Sequence, residues 1–416
     1  MSPLPPPPPP PPQPRQGPRP LPAHLVLAAT IWTSSRAAWP LLRSGSPPSS
    51  PSFAGPIADL AERLRAVDPE AFGQALDREI RARADRFLTG LERYRHHPYR
   101  RAPDDPPPVW RDGTTVLRRY GRAGAGPPVM VVPSLVNRAY VLDLAEGNSL
   151  LRHLAARGLA VYLVDWQAPG EAERAFDLTA YVAGRLEAAL DHVLAAERRP
   201  PALVGYCMGG DLALALAVRR RRDIARLALL ATPWDFHAER PEQARAMAAW
   251  ASAAGPWIDM WGEMPVDLLQ LLFLALDPAL GLRKFSAFAD LDPESDRARA
   301  FVALEDWLND GVPLAAPVAR ECLMDWYGAN ATARGTWRIA GRTIDPAALH
   351  MPALVMTPEH DRIVPAPSAA ALAAAIPGAR LATPPLGHIG MIVGAGAPAA
   401  VWDPLARWLD SERGDP

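Results

Sequence analysis

Residues 203–215, LVGYCMGGDLALA, place a cysteine among closely spaced glycines. Cys207 lies in the pattern glycine, any residue, cysteine, any residue, glycine, which is typical of the sharp strand-to-helix turn that presents a nucleophile. Gly205, Gly209 and Gly210 are the elbow glycines, because side chains at these positions would collide with the neighbouring strand and helix. The partial positive charge of a helix N-terminus favours a thiolate there. We predict that Cys207 is a nucleophile, with a small buried core thiol as the alternative.

An acid and a histidine follow Cys207 in the chain order expected for this kind of nucleophile. Asp361 follows the predicted strand ALVMT, and His388 follows the predicted strand ARLATPP near the end of the predicted sheet. In such a triad the histidine acts as the base and the acid holds it in the correct tautomer. The alternatives are Glu359 or Asp165 as the acid and His360 as the histidine.

Composition narrows the class of protein. The 416 residues carry a formal net charge of -1, so no basic field is available to hold a nucleic acid. A hydrophobic content of 49% allows a large core. The two cysteines, Cys207 and Cys322, are too few for a disulfide framework, which favours a reducing cytoplasm.

Residues 1–56 are predicted to form a disordered, Pro-rich tail that carries a short apolar segment. The tract MSPLPPPPPPPPQPRQGPRPLP cannot build a core, and its prolines donate no backbone hydrogen bonds. The apolar run in AHLVLAATIWTSSRAAWPLL is about half the length that a transmembrane helix needs, so no membrane span is predicted. A signal peptide is the alternative. Residues 57–108 form a helical region, since apolar residues recur at spacings of three and four from Ile57 to Arg95.

Strands and helices alternate through residues 109–233, and the alternation resumes in residues 351–416. This pattern predicts an α/β core with a mostly parallel central sheet and helices on both of its faces. Residues 234–350, between the two halves, are helical in pattern and rich in Trp and Leu. We predict that they form an inserted, mainly helical cap.

Taken together, the motifs resemble those of the polyhydroxyalkanoate synthase family within the α/β-hydrolase superfamily. The resemblance covers about residues 90–400 and is carried by RYRHHPYRR, PSLVNRAYVLDLAEGNSLLRHLAARGLAVYLVDWQAPG, VGYCMGG, LLATPWDF, DGVPLAAPVARE, PEHDRIVP and LGHIG. The family's catalytic cysteine, aspartate and histidine correspond to Cys207, Asp361 and His388. The resemblance implies the α/β-hydrolase fold, and it implies an acyltransferase that links (R)-3-hydroxyacyl groups from coenzyme A into a polyester.

That chemistry implies a thioester on Cys207 and no metal or cofactor beyond the coenzyme A thioester, which is the substrate. The backbone N–H groups of Met208 and Val136 are the predicted oxyanion hole. A homodimer formed through the cap, an accessory synthase subunit and a polymer-granule surface are the expected partners. Two alternatives stay open: a thioesterase, esterase or depolymerase-like hydrolase with the same triad, and a binding module with a vestigial triad.

Overall fold

The computed structural model describes residues 14–45, 54–124 and 126–410. The chain forms two compact units. One holds the chain up to Arg100 together with Gln270–Asn309, and the other holds Arg101–Leu269 together with the chain from Asp310. The second unit contains every candidate site residue.

One eight-stranded sheet forms the framework of the second unit. Its strands in chain order are β1 Pro108–Asp112, β2 Thr115–Tyr120, β3 Pro128–Val132, β4 Ala160–Asp165, β5 Ala202–Tyr206, β6 Arg226–Leu230, β7 Ala353–Met356 and β8 Arg380–Ala382. The order across the sheet is β1-β2-β4-β3-β5-β6-β7-β8. Strand β2 is antiparallel to β1 and β4, and all other neighbouring strands are parallel. The predicted α/β fold with a mostly parallel sheet is confirmed.

Helices occupy most of the chain between and beyond the strands. In chain order they are α1 Leu21–Arg43, α2 Ala54–Arg65, α3 Pro69–His96, α4 Leu150–Ala156, α5 Glu187–Glu197, α6 Met208–Arg219, α7 Pro241–Trp261, α8 Val266–Leu276, α9 Leu280–Phe288, α10 Asp296–Asn309, α11 Ala316–Arg320, α12 Ala366–Ala375, α13 Gly390–Val393 and α14 Asp403–Asp410. Helices α5, α11 and α14 are extended by the π-helical turns Ala180–Leu186, Glu321–Gly328 and Pro398–Trp402.

Short elements complete the second unit. Its 3-10 turns are Ala139–Leu142, Glu173–Ala175 and Pro346–Ala348. Three small antiparallel pairs join Asp143–Ala145 to Asn148–Ser149, Glu263–Met264 to Leu314–Ala315, and Arg338–Ile339 to Arg342–Thr343.

The centre of the sheet is apolar on both faces. Every residue of β3, β4 and β5 is buried. Helix α6 is buried from Met208 to Val218 as well, which its run of small and aliphatic residues, LALALAV, makes possible. Strands buried on both faces read as continuous apolar runs instead of an alternation, and that is the pattern of this part of the chain.

The first unit is helical, with α1, α2, α3, α9, α10 and the last part of α8. Its core contains the buried residues Ala28, Phe87, Leu91, Tyr94, Phe285, Phe288, Ala298 and Val302. Helix α3 approaches α9 closely at Gly90, where an added Cβ would lie 1.9 Å from the carbonyl oxygen of Phe285. A residue with a side chain at position 90 would force the two helices apart.

The predicted helix over Ile57–Arg95 is in fact two helices, α2 and α3. The side chain of Asp68 accepts a hydrogen bond from the backbone N–H of Ala71 at 2.8 Å, and Pro69 occupies the first turn of α3. An aspartate cap followed by proline is a strong helix start. The apolar spacing continued across this boundary, so periodicity alone could not locate it.

The prediction of a disordered tail is wrong for the residues that the structure describes, because they include a helix. Residues 21–43 form α1, and residues 14–20 lead into it. Arg15 fixes this segment: its guanidinium donates to the Asp306 carboxylate at 2.6 Å and to three backbone carbonyl oxygens. One arginine supplies the hydrogen bonds that the neighbouring prolines cannot donate. Residues 1–13 and 46–53 of the predicted tail lie outside the described residues.

The predicted segments 109–233, 234–350 and 351–416 remain a prediction about chain organisation. Strands β1–β6 precede the segment 234–350 and β7 and β8 follow it, so this segment interrupts the sheet in sequence. Residues 270–309 within it belong to the compact unit that holds α1–α3. In the described part of the chain, no helix has the length and apolar character to cross a membrane.

Candidate active site

Cys207 occupies the turn between β5 and α6 in a backbone conformation that L-residues rarely adopt. Its φ is 54° and its ψ is -133°. The backbone N–H of Cys207 donates to the carbonyl oxygen of Leu230 at 2.9 Å, and its carbonyl oxygen accepts from the N–H of Gly210 at 2.8 Å. Such strain persists only where the surroundings enforce it, and it is common at functional sites. The turn has the geometry predicted for a nucleophile elbow.

Three glycines make this turn possible because each lies where a side chain cannot fit. A Cβ at Gly205 would lie 2.4 Å from the Cα of Gly210, and a Cβ at Gly209 would lie 2.2 Å from the carbonyl oxygen of Val132. At Gly210 it would lie 1.8 Å from the Thr232 hydroxyl oxygen. The predicted requirement for glycine at these positions therefore has a steric cause.

His388 and Asp361 form a close, buried pair. Nδ1 of His388 lies 2.7 Å from Oδ2 of Asp361. Oδ1 of Asp361 accepts hydrogen bonds from the backbone N–H groups of Ile363 and Val364, both at 2.8 Å. The loop after β7 thus holds the carboxylate in one orientation, and this carboxylate fixes the imidazole ring.

The structure also places His388 near Cys207, close enough for the charge of Cys207 to act on the imidazole. With Nδ1 turned to Asp361, Nε2 is the ring nitrogen left for the sulfur. Burial lowers the pKa of His388, but the Cys207 thiolate charge and the hydrogen bonds to Asp361 and Cys207 outweigh it and raise this pKa to about 10. A cysteine paired with an imidazolium is suited to nucleophilic attack.

The alternative acids and the alternative histidine do not join the His388–Asp361 pair. Glu359 and His360 are exposed, so neither joins the buried site. Asp165, at the end of β4, pairs with Arg118 at 3.0 Å and shapes the edge of the sheet. Exposure therefore sets Glu359 and His360 apart from the pair, and the ion pair with Arg118 sets Asp165 apart.

Tyr206 is a site neighbour that the sequence analysis missed. Its hydroxyl donates to the backbone carbonyl oxygen of His388 at 3.2 Å, and the two rings lie 5.4 Å apart between centroids. The residue occupies the variable position before the cysteine in the elbow pattern, which carries no signal of its own. Tyr206 supports the loop that holds His388.

The two predicted oxyanion donors differ in their present hydrogen bonding. Met208 is the first residue of α6, where backbone N–H groups have no acceptor within the helix. The N–H of Val136 donates to the Ser134 hydroxyl at 3.1 Å. Val136 must exchange this local partner before it can meet an oxyanion, whereas Met208 is pre-oriented by the helix.

Metal ligation is not a feature of the site as described. Among residues 14–45, 54–124 and 126–410, no group of three or more His, Cys, Asp or Glu side chains is arranged to hold a metal ion. The chemical groups present are a thiol and, near it, an imidazole hydrogen-bonded to a carboxylate. This arrangement can carry out acyl transfer through a covalent thioester.

Comparisons with known proteins agree with the fold. The alpha/beta hydrolase fold family matches residues 127–395. The chain is 32% identical to poly(3-hydroxyalkanoate) polymerase subunit PhaC of Synechocystis over 73% of its own length and 84% of the relative. The protein of the same name from Allochromatium vinosum is 29% identical, with 73% and 87% covered. A solved thermophilic esterase from Thermogutta terrifontis aligns with 75% of this chain and 100% of its own, with 19% identity and a TM-score of 0.46.

Proposed function

The chain belongs to the alpha/beta hydrolase fold family and to the poly(3-hydroxyalkanoate) polymerases within it, and from this premise we propose that it polymerises (R)-3-hydroxyacyl-coenzyme A through a thioester on Cys207. The observation that carries the proposal is the thiol on the strained elbow, near the hydrogen-bonded His388–Asp361 pair. Thiol, base and orienting acid are the groups that acyl transfer requires.

In the first step, the enzyme takes up an acyl group. His388 takes the proton of the Cys207 thiol to form a thiolate–imidazolium pair, and the thiolate sulfur attacks the thioester carbonyl carbon of the substrate. The carbon–sulfur bond to coenzyme A breaks, and the leaving thiolate takes the proton back from His388. The Met208 N–H, joined by that of Val136, stabilises the oxyanion that forms in between.

In the second step, the ester bond forms. His388 removes the proton of the 3-hydroxyl group of another (R)-3-hydroxyacyl-coenzyme A, and the hydroxyl oxygen attacks the carbonyl carbon bound to Cys207. The bond to the Cys207 sulfur breaks, and the sulfur recovers its proton from His388. The product is one unit longer and still carries coenzyme A, so it can acylate Cys207 again.

A thiol suits this sequence better than a hydroxyl. Transfer from one thioester to another is nearly balanced in free energy, so the acyl group on Cys207 stays activated for attack by an alcohol. An ester on serine would lose that activation. Asp361 stabilises the imidazolium that both steps create.

The assay that tests the proposal incubates the chain with (R)-3-hydroxybutyryl-coenzyme A and follows both products. We expect coenzyme A release together with insoluble polyester. Coenzyme A release with only soluble hydroxyacid contradicts polymerisation and supports the hydrolase alternative. No release from a folded chain contradicts both enzymatic functions and supports a binding module.

Two cysteine variants test whether polymer formation in this assay depends on Cys207. Cys207→Ser is expected to lose polymer formation, because an ester replaces the thioester. Cys322→Ala is the matched control, since it removes the other cysteine, which is buried and has no part in the proposed steps. Full polymer formation by Cys207→Ser contradicts the thiol mechanism.

For partners, we propose that the chain forms a homodimer through the predicted cap. We also propose that it acts with a second synthase subunit at the polymer granule, in a reducing cytoplasm. Helix α7, within the predicted cap, exposes Trp250, Trp257, Met260 and Trp261. Exposed apolar surface of this kind is common at interaction sites. The names of both relatives described above contain the word subunit, which supports a search for a partner chain.

A further inference from the structure

Asp211 is a buried acid one helical turn after Cys207. Residues four apart lie on the same face of a helix, so Asp211 follows Cys207 along α6. The exposed fraction of Asp211 is 0%, and its helical neighbours from Met208 to Val218 are buried too. Solvent therefore does not reach this carboxyl group.

Neither carboxyl oxygen of Asp211 has a side-chain or backbone hydrogen-bond partner within the described residues. Asp143 is a useful contrast because it is equally buried. Its oxygens accept from Arg152 at 2.8 and 3.0 Å and from the Tyr120 hydroxyl at 3.1 Å. Removing an unpaired carboxylate from water costs far more than protonating it. Asp143 has donors for both of its oxygens, whereas the surroundings of Asp211 favour the neutral acid.

The titratable groups that face Asp211 are acids, namely Cys207 on its own turn and Cys322 and Tyr327 on the π-helical turn after α11. Burial and the Cys207 thiolate raise the pKa of Asp211 well above its usual range, against the smaller opposite effect of its own backbone N–H. The uncharged phenols of Tyr181 and Tyr206 lie on neighbouring elements, and burial raises the pKa of each.

The cations on α6 and on the elements packed against it are engaged with other groups. Arg185 pairs with Glu173, Arg219 pairs with Glu187, and Arg226 donates to the carbonyl oxygen of Trp408. His388 is directed to Cys207 and Asp361. No cation in this set neutralises an ionised Asp211.

We propose that Asp211 is a positioning residue for the charge on Cys207: as a neutral acid it permits the thiolate, and when ionised it disfavours the thiolate and so sets the alkaline limit of acylation. Coupling between two charges is reciprocal, so a thiolate that keeps Asp211 protonated is itself destabilised once Asp211 ionises. The neutral thiol and imidazole then replace the thiolate and imidazolium. The link to acylation rests on the proposed function, whereas the charge coupling rests on the geometry alone.

The test measures the rate of alkylation of Cys207 by iodoacetamide against pH, in the full chain carrying Cys322→Ala so that one thiol reacts. Asp211→Asn keeps the size of the side chain but never ionises. We expect equal rates near neutral pH, a decline at alkaline pH with Asp211 present, and no such decline in Asp211→Asn. The ratio of the two rates at high pH is expected to be about tenfold, since one buried charge acts on another nearby.

Asp191→Asn, which changes an exposed aspartate in the middle of α5, is the control and is expected to keep the original profile. Superimposable profiles for Asp211 and Asp211→Asn overturn the proposal. If Asp211→Asn does not fold, infrared spectroscopy of the unsubstituted chain decides: at about pH 8, where ordinary carboxyl groups are ionised, a protonated carboxyl band supports the proposal and its absence overturns it.

Coenzyme A release at each pH separates this proposal from the proposed function. We expect release to decline at alkaline pH in the original chain and to persist to higher pH in Asp211→Asn. A chain that shows the alkylation difference but releases no coenzyme A at any pH contradicts the proposed function while still supporting the charge coupling.

Discussion

At the scale of single residues, the site depends on what surrounds each acid. Asp361 has partners for both of its carboxylate oxygens, two backbone N–H groups on one and His388 on the other. Asp211 has none among the described residues. Two aspartates near one cysteine therefore differ in their hydrogen-bond partners, and the roles proposed for Asp361 and Asp211 rest on that difference.

The substitution Asp361→Asn tests the role of the His388–Asp361 pair. The substitution removes the charge that helps to raise the pKa of His388 to about 10. A raised pKa means that the imidazolium is present in both proteins at acidic pH, and that the substituted chain loses it at a lower pH than the original chain as the pH climbs toward 10. We expect coenzyme A release to fall by about 10³-fold at neutral pH.

Measured pH profiles of kcat/KM for Asp361→Asn and for Glu359→Gln check this prediction. Glu359 is the exposed neighbouring acid, so its substitution is expected to leave the profile unchanged. An Asp361→Asn protein that retains more than about a tenth of the original activity contradicts the assigned role.

At the scale of elements, the junction of β5 and α6 creates the site. The strand ends at Tyr206, the helix begins at Met208, and Cys207 alone makes the turn with a positive φ. The backbone of β3 and its following residue, Pro133, lies against Gly209. Cys207 is thus presented by packing between a helix and two parallel strands.

Gly209→Ala tests this junction. The added methyl group would lie 2.2 Å from the Val132 carbonyl oxygen and 2.5 Å from the backbone of Pro133, and neither can move without displacing β3. Overpacking of this kind costs about 1–3 kcal/mol, so we expect a lower urea midpoint and loss of activity.

Gly184→Ala is the matched control, since a Cβ there has open space within 4 Å. It is expected to leave the urea midpoint unchanged or slightly raised, because alanine loses less conformational entropy than glycine. Equal stability of Gly209→Ala and Gly184→Ala would show that the close approach does not constrain the turn.

For the molecule as a whole, the main exposed apolar surface of the unit that contains the sheet lies on helix α7. Trp257 is 58% exposed and Met260 is 65% exposed, and the rings of Trp257 and Trp261 lie 6.4 Å apart. Large aromatic side chains are costly to leave in water and are enriched where proteins associate. This surface is where the proposed homodimer would form.

Trp257→Glu is expected to convert a dimer into a monomer, because it places a charge within the apolar surface. Size-exclusion chromatography with light scattering during turnover measures the mass. Leu88→Glu, at an exposed position of α3, is the control and is expected to leave the dimer intact. A monomer in the original chain under turnover contradicts the homodimer.

Local sequence patterns were sufficient to predict several features of the protein. Alternating apolar runs and helices predicted the α/β sheet, and glycine spacing predicted the elbow at Cys207, because strand, helix and turn geometry each impose a period or a residue type on a short stretch. Chain order also predicted Asp361 and His388. These residues were found without contact information because the fold family keeps them in one order.

Only the tertiary structure decided which of several neighbouring acids and histidines meet. Glu359, His360 and Asp361 are consecutive in sequence, yet only Asp361 turns its side chain inward to His388. Hydrophobic periodicity also could not reveal the boundary between α2 and α3 before Pro69. It could not reveal the hydrogen bonds of Arg15 either. Burial and hydrogen-bond partners depend on groups far apart in the chain, and only folding brings those groups together.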